Sequence, residues 1–80
     1  MDNEVFKNYL KDLGYIIKEL ALEAKAQKDK SKDKEEEIYY TGYLMGFHRI
    51  ISLMQQQASG FRIPLKSLSL EKLDPDKDLI

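Results

Sequence analysis

The chain of 80 residues has no cysteine and no tryptophan, and its only histidine is His48. Without cysteine it forms no disulfide, and one imidazole without a thiolate does not make a structural zinc site. A chain this short buries only about 60% of the surface that its unfolded form exposes, so its own core is small. Association with another chain is the remaining means of stabilisation.

An excess of charge of either sign is also missing, because 13 basic and 14 acidic residues give a formal net charge of −1. No long-range field therefore draws the chain towards nucleic acid or an anionic membrane. The least charged stretch, residues 38–60, carries His48 and Arg49 mid-span. Its apolar part ends at Met54, short of the ~20 residues of a membrane span. The charged N-terminus lacks the apolar run of a signal peptide. We therefore expect a cytoplasmic protein without a membrane partner.

The sequence does contain two long helical patterns. In the first, apolar residues recur at alternating spacings of four and three: Phe6, Leu10, Leu13, Ile17, Leu20 and Ala24. This spacing predicts a helix over about residues 3–27, with Asp2 or Asn3 as its N-cap. Gly14 costs up to about 1 kcal/mol relative to alanine inside a helix, which suggests that a packing neighbour needs the space.

A fully polar stretch over about residues 28–33 predicts the turn that follows this helix. Ser31 or Asp33 supplies the N-cap of a second helix, and three glutamates in its first turn complement the positive end of the helix dipole. The second helix is predicted over about residues 34–59, antiparallel to the first. The fold class is therefore expected to be all-α, built on a two-helix hairpin.

Gly60 is expected to end the second helix, because glycine suits the left-handed position of a Schellman motif, with Phe61 folding back on the helix. The tail, residues 61–80, carries five aliphatic residues around proline and serine: Ile63, Leu65, Leu68, Leu70 and Leu73. They predict a short helical turn packed on the hairpin, with Ser67 or Ser69 as its N-cap. A strand is the weaker alternative, because leucine and serine alternate there.

The second helix is apolar on more sides than the first helix can cover. One seam is expected to pack on the first helix: Tyr40, Leu44, Phe47, Ile51, Met54 and Ala58. The neighbouring seam is predicted as a dimer interface: Tyr39, Gly42, Tyr43, Gly46, Ile50 and Leu53. Gly42 and Gly46 lie one turn apart, which favours the close approach of another helix. Alternatively, they make room for Tyr39, Tyr43 or the tail within the same chain. Two hairpins paired through this seam would form a four-helix bundle.

His48 is the only candidate for acid–base or metal chemistry. No carboxylate lies at helical spacing to orient its ring, and Ser52 one turn away lacks an oxyanion hole and a third group. Asp74, Asp76 and Asp78 alternate as at the start of an EF-hand loop, but the glycine and the final glutamate of that loop are missing. The lysines of the turn are offset by acidic neighbours and have no aromatic residue among them. We therefore assign no catalytic residue, cofactor or metal.

Three functions remain as hypotheses. The favoured one is a non-enzymatic protein–protein interaction module, an adaptor, regulator or inhibitor, that acts as a homodimer and binds another protein. The alternative is a small dimeric helical regulator that binds nucleic acid through a polar contact strip: His48, Arg49, Gln55 and Gln56. The third hypothesis, an enzyme, requires that His48, Tyr43 and Arg49 converge on one pocket.

Overall fold

A computed structural model describes residues 3–80 as two long helices followed by a tail with two short ones. The α-helices are α1 (Asn3–Asp29), α2 (Lys34–Gly60) and α3 (Pro75–Asp78), and a 3₁₀ helix (Leu65–Leu68) lies between α2 and α3. α1 and α2 pack against each other as an antiparallel hairpin, and the molecule measures 49 × 21 × 17 Å. No strand occurs within the described residues, so the all-α hairpin is confirmed and the strand alternative for the tail is wrong.

The start of α2 is fixed by a side-chain cap. The Asp33 carboxylate accepts a hydrogen bond from the backbone N–H three residues on, at 2.8 Å, which makes Asp33 the N-cap. The other candidate, Ser31, instead donates its hydroxyl to the carbonyl of Gln27 at 3.3 Å. At the start of α1, Asn3 is already helical, and the predicted cap at Asp2 lies outside the described residues.

The end of α2 corrects the sequence prediction. Arg62 takes the left-handed conformation, with a φ of 58°, whereas Gly60 is the last helical residue. The N–H of Ile63 donates to the carbonyl of Ala58 at 2.7 Å, and the N–H of Arg62 donates to the carbonyl three residues before it at 3.1 Å. These two bonds make a Schellman motif. The motif is therefore present, but its assignment to Gly60 and Phe61 was wrong, and Phe61 is 73% exposed.

The core joins all parts of the chain in one cluster of buried residues: Ala21, Ala24, Leu44, Ile51, Ala58, Leu68, Leu70, Leu73 and Leu79. In α2, the seam predicted to face α1 is buried or half-buried along its whole length, which confirms that prediction. The tail supplies four of the buried leucines and so packs on the hairpin, as predicted; the hairpin that it covers is its own, which the sequence left open.

α1 buries a side that overlaps its predicted seam only in part. Ala24 is buried and Ile17 packs against the core, as predicted, but the other buried residues are Gly14 and Ala21, outside the seam. Four members of its predicted seam are between 37% and 53% exposed: Phe6, Leu10, Leu13 and Leu20. Small residues allow α2 and the tail to approach the α1 backbone closely, and the larger residues flank that contact. α1 thereby adds uncovered apolar surface to that of α2.

The tail crosses α1 at Gly14. A Cβ on Gly14 would overlap the backbone carbonyl of Leu68, so a packing neighbour does need the space, as predicted. One residue further on, Ser69 donates its hydroxyl to the carbonyl of Lys11 at 3.0 Å. Ser69 is the left-handed C-cap of the 3₁₀ helix, and that helix has no side-chain N-cap, so the prediction of Ser67 or Ser69 as an N-cap was wrong.

Candidate functional site

The residues predicted as a dimer interface lie together on one exposed side of α2, here called the glycine face: Tyr39, Gly42, Tyr43, Gly46, Ile50 and Leu53. All six are exposed, and the four large side chains keep between 46% and 65% of their surface open to solvent. The tail packs its leucines into the core and leaves this face uncovered. A continuous apolar strip of α2 is therefore unpartnered within the chain.

The two glycines of this face have no role in packing the described chain. A Cβ built on Gly42 or on Gly46 meets no atom within 4 Å. The alternative that they make room for Tyr39, Tyr43 or the tail is therefore wrong. Each glycine costs the helix up to about 1 kcal/mol relative to alanine, and no contact within the hairpin offsets this cost.

A shallow apolar groove of about 500 Å³ runs beside these glycines. Its lining comes from both helices: Ile17, Gly42, Tyr43, Gly46, Phe47 and Ile50. Towards the turn, Leu20 of α1 lines the neighbouring depression together with Tyr39 and Tyr43. Helical spacing placed Ile17, Leu20 and Phe47 in seams within the hairpin. Their second role was missed because helical spacing gives the faces of one helix and not the angle at which two helices meet.

Four aromatic rings contact one another along the first half of α2. Tyr39 and Tyr43 are stacked with their centroids 6.3 Å apart, and Phe47 lies edge-on to Tyr43 at 5.2 Å. Tyr40 lies edge-on to Tyr39 at 5.0 Å. Tyr40 and Phe47 are half-buried, as expected of core residues, whereas Tyr39 and Tyr43 are exposed. Rings fixed in this way present large apolar area at little further cost in conformational entropy.

The polar contact strip on another side of α2 is partly occupied by the tail. Gln55 donates its side-chain amide to the carbonyls of Leu70 and Leu73, at 3.3 and 2.8 Å. His48 Nε2 lies 2.9 Å from a carboxylate oxygen of Asp76. Only Arg49 and Gln56 of the four predicted residues remain exposed, which weakens the case for nucleic-acid binding through this strip.

His48 and Arg49 line a second cleft, between α2 and the tail, together with Met45, Ser52, Leu53, Gln56 and Asp76. Tyr43 instead lines the apolar groove, so within the described residues His48 and Arg49 share a cleft that Tyr43 does not line. The cleft does supply the carboxylate that the sequence analysis missed. Asp76 is 28 positions from His48, and no periodicity links them.

Ser52, His48 and Asp76 are the residue types of a nucleophilic triad, but their arrangement lacks two of its features. Within the described residues, Ser52 makes no hydrogen bond to the ring of His48. Both residues also lie in the interior of α2, where each backbone N–H is used in the helix and none is free to stabilise an oxyanion. The contact of His48 with Asp76 therefore joins α2 to the tail, and the described residues give the Ser52 hydroxyl no hydrogen-bonded base.

The alternating aspartates of the tail are used in local structure. Asp74 caps α3 by accepting a hydrogen bond from the N–H of Asp76 at 3.0 Å, and Asp78 accepts from the N–H of Asp74 at 2.8 Å. α3 begins at Pro75, directly after its cap at Asp74. Residues 3–80 contain no group of three or more His, Asp or Glu side chains placed to hold a metal ion.

Comparison of the chain with protein-family models, with curated proteins and with solved structures finds no match in any of the three. Among the described helices, none has both the length and the apolar character of a membrane span.

Proposed function

We propose that the chain is a non-enzymatic protein–protein interaction module that works as a homodimer, with the glycine face of one copy packed on that of a second copy. The observation that carries this proposal is the empty space over Gly42 and Gly46. Two glycines one turn apart let a second helix approach the backbone closely. Their cost to the helix is then offset by contacts that one chain cannot make.

The exposed area of the single chain supports the same proposal. The hairpin exposes 6053 Å². A folded monomer of 9.4 kDa is expected to expose about 5,000 Å². The excess is roughly 1,000 Å², and a stable protein–protein interface buries about 800 Å² on each partner. Pairing through one face would therefore bring the exposed area into the ordinary range.

The chemistry of the face is suited to self-association. None of its six residues is charged, and charged residues are depleted in the buried centres of interfaces. Two-fold symmetry would place Tyr43 and Ile50 of both copies around the glycines. With α1 of each copy on the outside, two hairpins make a four-helix bundle. The surface beyond this interface is then available to a different protein.

Sedimentation equilibrium on size-matched variants tests the proposal. At tens of micromolar we expect the wild type to sediment as twice its 9.4 kDa chain mass. Gly46→Leu places a side chain in open space, so each hairpin should still fold, but it should sediment as a single chain. Gly60→Leu also enters open space, outside the face, and is the matched control that should remain dimeric. A wild type that stays at the mass of one chain contradicts the proposal, as does a Gly46→Leu variant that remains a dimer.

A further inference from the structure

Four basic side chains from two distant segments meet at the end of the hairpin opposite the turn. Lys7 and Lys11 of α1 line one wall of a cleft of about 830 Å³, and Arg62 and Lys66 line the other. Among residues 3–80, none of these four side chains takes part in an ion pair. Glu4 is the only acidic residue in the lining. A chain with a net charge of −1 therefore concentrates positive charge in one place.

The two walls are held together by direct contacts. The backbone of Leu68 lies against Gly14 with no room for a side chain between them. The hydroxyl of Ser69 donates to the carbonyl of Lys11, so the tail is tied to the α1 residue that also supplies a cleft lysine. The relative position of the lysines on α1 and the basic residues on the tail is thereby set by the fold.

Four apolar residues share the lining of this cleft with the basic side chains: Leu10, Ile63, Pro64 and Leu68. A volume of about 830 Å³ lies within the range of ligand pockets. The occupant that this surface complements carries both negative charge and an apolar group.

Arg62, which lines the cleft, has a backbone conformation that lowers the stability of the fold. It holds a left-handed φ of 58°, a conformation that glycine adopts without strain. The same turn therefore accepts glycine more easily, while arginine adds the charge that faces the cleft. Non-glycine residues in this conformation are concentrated at functional sites.

We propose that this basic cleft binds a segment of a partner protein in which two or more carboxylates flank an aliphatic or aromatic side chain. The carboxylates pair with Lys7, Lys11, Arg62 and Lys66, and the apolar side chain rests on Leu10 and Ile63. The inference rests on the proposed role as an interaction module and does not depend on self-association. Nucleic acid fits less well, because no aromatic side chain in the lining can stack on a base and four apolar residues share the lining with the cations.

The test is a titration of ¹⁵N-labelled protein with 12-residue synthetic peptides, followed by amide chemical shifts. The first peptide has Asp and Glu residues on both sides of a Leu-Phe pair. In the second peptide, Asn and Gln replace the acids, and in the third, Ser replaces Leu and Phe. We expect the first peptide to shift the amides of Lys7, Lys11, Ile63 and Lys66, with at least tenfold weaker binding by the other two. A 12-nucleotide single-stranded RNA that binds as tightly as the first peptide overturns the proposal, and so do shifts centred on Tyr43 and Ile50.

Charge-reversal variants distinguish peptide binding in the cleft from a general effect of the net charge of the chain. Lys11→Glu combined with Lys66→Glu should lower the affinity for the first peptide at least tenfold, with unchanged far-UV circular dichroism. Lys28→Glu combined with Lys30→Glu, at the turn, makes the same change in net charge and should leave the affinity unchanged. Equal losses of affinity for the first peptide in the two double variants would contradict binding in the cleft.

The same titration on Gly46→Leu distinguishes this inference from the proposed homodimer. If binding is retained in a variant that sediments as one chain, the cleft acts independently of self-association. Absence of binding in both the wild type and Gly46→Leu overturns the cleft and leaves the homodimer standing. Binding that is lost only in Gly46→Leu contradicts the independence of the cleft.

Discussion

Gly14 of α1 lies directly against the backbone carbonyl of Leu68, with no space for a methyl group between them. Gly14→Ala should therefore displace the tail, because the atom it meets is backbone and cannot rotate away. Overpacking of this kind costs about 1–3 kcal/mol, more than the gain in helix propensity. Urea unfolding should show the loss. Gly60→Ala, a helical glycine with open space around it, is the control and should show none.

The tail is held by its buried leucines more than by its polar contacts. Leu70 is fully buried, and Leu70→Ala should lower the free energy of unfolding by about 2–5 kcal/mol. Asp76 is 87% exposed in its pair with His48, so Asp76→Asn should change it by no more than about 0.5 kcal/mol. Denaturant midpoints of the two variants test this order. An Asp76→Asn loss as large as that of Leu70→Ala would show that the contact with His48 is the main attachment.

Replacing Arg62 by glycine should raise the stability of the fold and weaken peptide binding. Arg62→Gly relieves the left-handed backbone of a non-glycine residue and should raise the free energy of unfolding by about 0.5–1 kcal/mol. It should also weaken the binding of the acidic peptide, because one of the four cations of the cleft is removed. Thermal unfolding and peptide titration of one variant measure both effects. Lower stability, or unchanged affinity, would contradict the role given to Arg62.

Local signals in the sequence predicted the helices well. Asp33 and the glutamates after it mark the start of α2, and the spacing of Leu44 and Ile51 identifies the side of α2 that enters the core. These features succeed because a cap and a helical face depend on residues within one or two turns. They failed at the end of α2, where Arg62 takes the place expected of Gly60, because the path of the tail to Gly14 involves contacts distant in sequence.

The candidate sites divide in the same way. The glycine face could be predicted because all six of its residues lie on α2 at helical spacing. The pair of His48 with Asp76 and the contact of Ser69 with Lys11 join residues 28 and 58 positions apart, so no periodicity indicates them. The basic cleft depends on that second contact. For α1, apolar spacing favoured Phe6 and Leu10 as contact residues, whereas close packing selected Gly14 and Ala21.

If self-association stabilises the fold, stability depends on protein concentration. Each tenfold increase in wild-type concentration should raise the thermal midpoint by roughly 3–5 °C, by mass action on a dimer of chains this size. The Gly46→Leu variant should have a midpoint independent of concentration. Scanning calorimetry over a hundredfold range measures both. A concentration-independent midpoint for the wild type would argue against coupled folding and dimerisation.

The proposed homodimer depends most on the contact between two glycine faces, and isotope-filtered nuclear Overhauser spectroscopy tests that contact directly. A sample made from equal amounts of ¹³C-labelled and unlabelled chains reports only proximities between different copies. We predict cross-peaks from the side chains of Tyr43 and Ile50 of the labelled chain to the same face of the unlabelled chain. The measurement is made at a concentration where the wild type sediments with the mass of two chains. Cross-peaks that arise only from Val5 or Phe61, or no cross-peaks at all, would contradict the proposed interface.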